Sequence, residues 1–267
     1  MHPLAAQIPN GLNSWQAVGA KVGTLKKDKI NVPRIWVNSV KNKVFLLIGG
    51  LHLEETSGPF LLLTPQLLLP VLEPLLKKGV NIVIYPAINQ FGLSFEPSTN
   101  DKLLRYNAEG INYNDRWGIK AKKCKEVEVV EKDILSIKKF YEIIFAVSLH
   151  EDSETPQKGY IYTNGISDPN FRKKLRQGII SQVSADILAS EKDFQEGIQS
   201  EFTGGKVEEE FCLVEAKDPG SMESWTADKL HVPTVLSESP FGLSLDTRKS
   251  FHLSVIASAI SVLVPQI

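Results

Sequence analysis

The chain has 267 residues, 42% of them hydrophobic and 23% charged, with 30 Lys and Arg against 31 Asp and Glu. That length and composition support a globular domain with a sizeable core and exclude a wholly disordered chain. A net charge of −1 offers no general attraction to nucleic acid or anionic lipid, and two cysteines, Cys124 and Cys212, exclude a disulfide framework or a zinc site built mainly of thiolates.

The opening stretch, MHPLAAQIPNGLNSW, has no basic region followed by an apolar core, so no secretory leader is expected and the expected location is cytoplasmic. Arg34–Ser39 and Lys43–Ile48 read as two strands paired around a short turn at Val40–Asn42. Residues 59–72, PFLLLTPQLLLPVL, are strongly apolar but too short to span a bilayer, and Pro59, Pro65, Gln66 and Pro70 interrupt them. They read as one or two short buried helices, with Thr64 as N-cap and Pro65 at the first helical position. No membrane partner is expected.

Val80–Tyr85 is apolar and β-branched, as in a sheet covered on both faces. Residues 87–118 carry many Asn, Gly and aromatic residues with weak periodicity, and a loop of that length inside a domain points to function. Val129–Tyr141 reads as an amphipathic helix, Ile143–Leu149 as a second buried strand and Asn170–Leu188 as a helix. Tyr160 and Tyr162 read as strand residues, Thr234–Leu236 as a short strand and Asp246–Val264 as a closing helix. Strands alternating with helices, without a linker or repeat, imply one α/β domain over residues 1–267, with a mixed central sheet and helices on both faces.

Two of the five histidines stand at the ends of buried-strand patterns: His52 follows KVFLLIGGL and His150 follows IIFAVSL. Ligands of open α/β sheets bind at the carboxyl ends of strands. Both histidines are followed by acids, as His52-Leu-Glu-Glu55 and His150-Glu-Asp152. Imidazole and carboxylate are the usual zinc ligands where thiolates are absent. A His-x-x-Glu turn can aim both side chains at one point, and a third ligand from a neighbouring strand end would leave one position open. Gly49 and Gly50 let the backbone turn sharply just before His52. A lone His-x-x-Glu also arises by chance, and a strand-end histidine is often a core or surface residue.

The segment Gly49-Gly50-Leu51-His52-Leu53-Glu54-Glu55-Thr56-Ser57-Gly58 resembles the first zinc motif of the zinc carboxypeptidase (funnelin) family. Further segments agree in order. Pro86-Ala87-Ile88-Asn89-Gln90-Phe91-Gly92 is similar to the family's Asn-Pro-x-Gly stretch. Arg105-Tyr106-Asn107 and Gly110-Ile111-Asn112-Tyr113-Asn114-Asp115-Arg116-Trp117 resemble its Arg-x-Asn and Gly-apolar-Asp-x-Asn-Arg-x-aromatic segments. Ser148-Leu149-His150-Glu151 resembles the third-ligand motif, and the strand at 233–240 is similar to the one that carries the catalytic glutamate.

The resemblance implies a carboxypeptidase-like zinc hydrolase with one zinc ion held by His52, Glu55 and His150, the ligand set known for carboxypeptidase A. It implies Glu238 as general base, taking a proton from the attacking water and returning it to the leaving amine. Arg105 would stabilise the developing oxyanion, and Asn114 would help hold a substrate carboxylate. Read on their own, Glu238 is better taken as an exposed acid, Arg105 as a surface ion-pair partner and Asn114 as a turn former; the ordered set of motifs raises all three.

Two departures stand out. Asp115 occupies the place of the family's carboxylate-binding arginine, with Arg116 one residue later. The family's tyrosine ahead of the catalytic glutamate has no match, the nearest aromatic being Trp225. The expected substrate is a small peptide. The alternatives are an N-acyl amino acid, as for the related aspartoacylase and succinylglutamate desuccinylase branch, or a non-catalytic metal-binding module. A serine hydrolase is not expected, because no Gly-x-Ser-x-Gly elbow occurs.

Overall fold

A computed structural model of the chain describes residues 1–96, 101–120, 122–153, 156–196, 206–214 and 219–267. In chain order it runs α1 (Pro3–Ala17), β1 (Lys21–Lys27), β2 (Ile30–Val37), β3 (Lys43–Gly49), α2 (Ser57–Leu62), α3 (Pro65–Lys77) and β4 (Asn81–Tyr85). Then come α4 (Asp101–Arg105), α5 (Lys125–Phe140), β5 (Glu142–Asp152), β6 (Tyr160–Asn164), α6 (Pro169–Ile180) and α7 (Glu191–Glu196). The last are β7 (Lys206–Glu209), β8 (Cys212–Val214), α8 (Met222–Leu230), β9 (Thr234–Pro240) and α9 (Leu245–Leu263).

Among the described residues, nine strands form one mixed sheet in the order β1-β2-β4-β3-β5-β9-β6-β8-β7. The central four, β4-β3-β5-β9, are mutually parallel. Side chains alternate across a strand, so an apolar strand between two helical layers feeds two cores. Phe45 and Leu47 of β3 join one cluster, with Phe145 and Val147 of β5 and with α2, α3, α6 and α9 residues. Val44, Leu46 and Ile48 face the other, with Val127, Val130 and Ile134 of α5 and Met222 and Trp225 of α8. Among the described residues, no helix is long and apolar enough to cross a membrane.

The expected hairpin between Arg34–Ser39 and Lys43–Ile48 does not form. Instead β4 lies between them, antiparallel to β2 and parallel to β3. Asn81, at the start of β4, explains the placement. Its Oδ1 accepts from Ser39 N at 2.9 Å, and its Nδ2 donates to the carbonyls of Lys41 at 2.6 Å and Lys43 at 3.0 Å. One amide thus satisfies the 38–43 connection, and the apolar β4 gains a strand on each edge.

Other boundaries also differ from the sequence reading: the helix expected over 129–141 runs from Lys125 to Phe140, and the strand expected over 143–149 continues through His150 to Asp152. The helix expected over 170–188 ends at Ile180, where the Ser181 hydroxyl and the Gln182 amide both donate to Gly178 O and a 3-10 turn at Ala185–Ile187 follows. The strand expected over 234–236 continues to Pro240, and α1 was not anticipated. Elsewhere α3 starts at Pro65 after Thr64, as expected.

Leu47 is fully buried in the most central parallel strands. Leu47→Ala is expected to lower unfolding stability by about 2–5 kcal/mol, through lost transfer energy and the cavity left behind. Val40→Ala, at an exposed position, is expected to change it by less than about 0.5 kcal/mol. Urea denaturation of both variants checks the pair; equal midpoints would contradict the assigned core.

Candidate metal centre

The chain steps from β3 to β4 in one direction and, later, through β5 to β9 on the other side of β3. β3 and β5 stay paired while the connections from their carboxyl ends lead to opposite sides, the arrangement that opens a crevice at the strand ends of an α/β sheet. His52 follows β3 and His150 lies near the end of β5. Gly50 makes the turn between β3 and His52: its φ is +63°, and a Cβ there would lie 2.8 Å from Ala87 Cα. The Gly50 carbonyl accepts from Ile88 N and Asn89 N, tying this turn to the segment after β4.

His52, Glu55 and His150 converge. Each is at most 5% exposed, so bulk water does not solvate them. One Glu55 oxygen lies 2.7 Å from His52 Nδ1 and the other 2.9 Å from His150 Nδ1. One ligand atom from each residue lies within 4.8 Å of the others. Burial alone would push the Glu55 carboxyl up, but the two flanking imidazoles hold it below the usual carboxylate range. Burial alone would lower His150; the Glu55 and Glu223 carboxylates outweigh it and raise His150 well above the usual imidazole value. The Glu55 and Glu223 carboxylates on either side of His150 thus favour positive charge at this point, which a divalent cation would supply. Two imidazoles and a carboxylate are a borderline donor set that suits such an ion.

The remaining expected residues fall in three groups. Glu238 lies on β9 in register with His150 on β5. Its Oε2 is buried without a hydrogen-bond partner. Burial raises its pKa well above the usual carboxylate value; the Glu55 and Asp152 charges add to this, against His150 and Arg105. Arg105 ends α4. The Leu104 carbonyl before it accepts from Leu53 N and from Asn89 Nδ2. That anchor brings the guanidinium to Glu54 Oε1 at 2.7 Å and to Glu55 Oε1 at 3.0 Å, so a cation adjoins the triad.

The third group is the loop at 114–116. Asn114 Nδ2 donates to Glu223 Oε2 at 3.2 Å, and its Oδ1 accepts from Met222 N at 2.8 Å, so its amide is engaged by the start of α8. Among the described residues, neither Asp115 nor Arg116 makes a hydrogen bond or ion pair with the triad. The Arg116 Nε is buried and has no hydrogen-bond partner. Trp225 packs against Trp117, with ring centroids 5.4 Å apart, as part of the core under α8.

Two residues at the centre were not singled out from the sequence. Asn112 Oδ1 lies 2.9 Å from His52 Nε2. Glu223 Oε1 lies 3.6 Å from His150 Nε2. Asn112 stands within the Gly110–Trp117 segment, two residues before Asn114, and that spacing was its available signal. Glu223 comes from a separate helix, in the sequence SMESW, and carries no motif.

No family model matches the chain, and no curated protein matches it in sequence. Solved structures do match in fold. A Shewanella denitrificans protein provisionally named as a metallopeptidase is similar over 98% of this chain and 89% of its own, at 18% identity and a TM-score of 0.68. A metallo-carboxypeptidase from Burkholderia cenocepacia matches over 97% of this chain and 68% of its own, at 17% identity and a TM-score of 0.69. A metallo-carboxypeptidase from Pseudomonas aeruginosa, in complex with (2-guanidinoethylmercapto)succinic acid, matches over 97% and 68%, at 16% identity and a TM-score of 0.64. The chain has the zinc carboxypeptidase fold.

His150→Ala removes one of the three candidate ligands and leaves Glu55 with a single imidazole. The purified wild-type protein is expected to retain one divalent metal per chain after dialysis, and His150→Ala none, by elemental analysis. Full metal content in the variant would contradict the triad.

Proposed function

We propose that the chain is a zinc-dependent hydrolase of peptide or amide bonds, acting as a carboxypeptidase on small peptide-like substrates. The observation that carries this reading is the meeting of His52, Glu55 and His150 at the ends of parallel strands, with Glu238 beside His150 and Arg105 beside Glu55. A pure metal-binding module needs no carboxylate at Glu238.

When bound, zinc would supply Lewis acidity to the scissile carbonyl and to the attacking water. His52, Glu55 and His150 would hold it. Glu238 accepts a proton from the attacking water at its carboxylate and returns it to the leaving amine. A carboxyl raised by burial suits both roles better than an ordinary one, because its affinity for the proton is closer to that of the groups it serves. Arg105 keeps its charge and offers N–H donors beside the triad, where negative charge develops on the carbonyl oxygen.

Arg116 is the proposed carboxylate partner in the 114–116 loop, because its buried Nε still has a donor to give. Asp115 would orient it. A second reading is hydrolysis of an N-acyl amino acid; with the Asn114 amide engaged by Glu223 and Met222, Arg116 is left to hold the substrate carboxylate in either case. Both readings share the same bond cleavage and differ in the groups that flank it.

Glu238→Gln keeps the shape and removes the base. Metal content is expected to persist while turnover falls by roughly 10²-fold or more. In the wild type, the base form is lost as pH falls through the raised Glu238 pKa, so the acid limb of kcat/KM is expected above the ordinary carboxylate value of 4.5. Near wild-type turnover in the variant would remove Glu238 from the mechanism.

Arg116→Ala is expected to raise KM for peptides with a free terminal carboxylate far more than for their amides. Parallel assays of free peptides, blocked peptides and N-acyl amino acids measure this. An equal effect on peptides and amides would reject the carboxypeptidase reading and leave the hydrolase.

A further inference from the structure

We infer that Glu223 is a positioning residue for the metal site: its carboxylate sets the site's affinity for a divalent cation by acting on the outer nitrogen of His150. The inference rests on the reading that His52, Glu55 and His150 hold a metal.

The two histidines use the same atom toward the site. Both Nδ1 nitrogens face Glu55, so both Nε2 nitrogens point away from it. A histidine that gives its Nδ1 lone pair to a metal carries its hydrogen on Nε2, and a buried N–H needs an acceptor. His52 Nε2 has Asn112 Oδ1 at 2.9 Å. His150 Nε2 has Glu223 Oε1 at 3.6 Å, and neither atom has a hydrogen-bond partner of its own. Glu223 and His150 are 2% and 3% exposed, which excludes bulk water as the alternative acceptor.

The two acceptors belong to one circuit. Asn112 Oδ1 also accepts from Asn114 N at 2.8 Å. The Asn114 side chain donates to Glu223 Oε2 and accepts from Met222 N. A path of contacts therefore runs behind the two histidines, hydrogen-bonded from His52 through Asn112 and Asn114 to Glu223 and reaching His150 across 3.6 Å. It places an acceptor on the outer nitrogen side of each imidazole, which favours the tautomer a metal needs. The path is also asymmetric. Asn112 backs His52 with a neutral amide, whereas Glu223 backs His150 with a carboxylate. An anionic acceptor raises the basicity of the imidazole more than a neutral one and adds negative charge close to the cation. Asn114 is then the brace that holds Glu223 in line.

The test measures Zn2+ dissociation constants by competition with a chromophoric chelator, for the wild type, Glu223→Leu, Glu223→Gln and Asn114→Ala. Far-UV circular dichroism of each metal-free protein checks folding. Glu223→Leu is expected to weaken Zn2+ binding by roughly 10- to 100-fold, the usual effect of losing such a partner. Glu223→Gln keeps the shape and an amide oxygen, so it is expected to recover part of that loss. Asn114→Ala is expected to weaken binding in the same direction. The Co2+-loaded Glu223 variants are expected to show a shifted d–d absorption, because the ligand field at His150 changes; a remote packing defect would not move it.

Should the buried leucine prevent folding, the isosteric glutamine variant carries the test alone. Folded Glu223 variants with wild-type Zn2+ affinity and an unchanged Co2+ spectrum would overturn the inference and leave the metal triad intact. A wild-type protein that takes up no Zn2+ would reject the triad itself, and the role of Glu223 with it.

Discussion

A carboxylate can be buried only where other groups replace the water it loses, and Glu55 is almost completely buried. Its two oxygens are divided between His52 and His150, and Arg105 adds a third contact. Removing any one of these leaves the buried carboxylate less fully compensated. Much of the surrounding architecture holds the three partners at that carboxylate. The Gly50 turn places His52, the Leu104 carbonyl fixes the approach of Arg105, and β5 delivers His150. The same electrostatic demand that makes the protein gather positive charge around Glu55 makes the place attractive to a divalent cation.

The sheet supplies the rigid frame. Its four central strands run parallel, β5 and β9 reach past the ends of β3 and β4, and the strands that follow β3 and β5 lie on opposite sides of that pair. Helices cover both faces, so the strand ends are an opening in an otherwise closed sandwich. On one face α9 braces the frame from behind. His252, fully buried, links Ser237 on β9 to Ser57 at the start of α2. Arg248 pairs with Glu151, whose other oxygen accepts from Ser57 N. Three segments adjoining the ligands and Glu238 are thereby joined to one long helix. Gly58, three residues after Glu55, allows α2 to sit against β5, since a Cβ there would lie 2.7 Å from Leu149 Cβ.

Much of this was legible in the sequence, and the exceptions have physical causes. His52 and His150 were readable because long apolar strands lead into them, and Glu55 because it stands at a ligand spacing. The strand at 80–85 was readable in type but its partners were not. Pairing is decided by Asn81, which reads locally as a polar residue beside a turn and not as the clasp of a three-strand junction. The strand carrying Glu238 looked shorter than it is because Ser237, Glu238 and Ser239 interrupt its apolar pattern. Those serines are buried through contacts to His252 and Ser57, made across long sequence separations. Glu223 was hidden for a similar reason. Its role depends on α8 meeting the 112–114 loop, and nothing local announces that meeting. Helix α1 begins at Pro3 with His2 as its cap, while its Pro-Asn and Asn-Gly pairs read as turns.

The central claim is that His52, Glu55 and His150 bind one zinc ion through two imidazole nitrogens and a carboxylate oxygen. X-ray absorption at the zinc edge, on protein reconstituted with one equivalent of Zn2+, tests it most directly. The account predicts a shell of nitrogen and oxygen atoms at about 2.0–2.2 Å, with outer-shell scattering from two imidazoles. A sulfur shell at about 2.3 Å, which would require Cys124 or Cys212, or zinc that remains entirely hydrated, would contradict it.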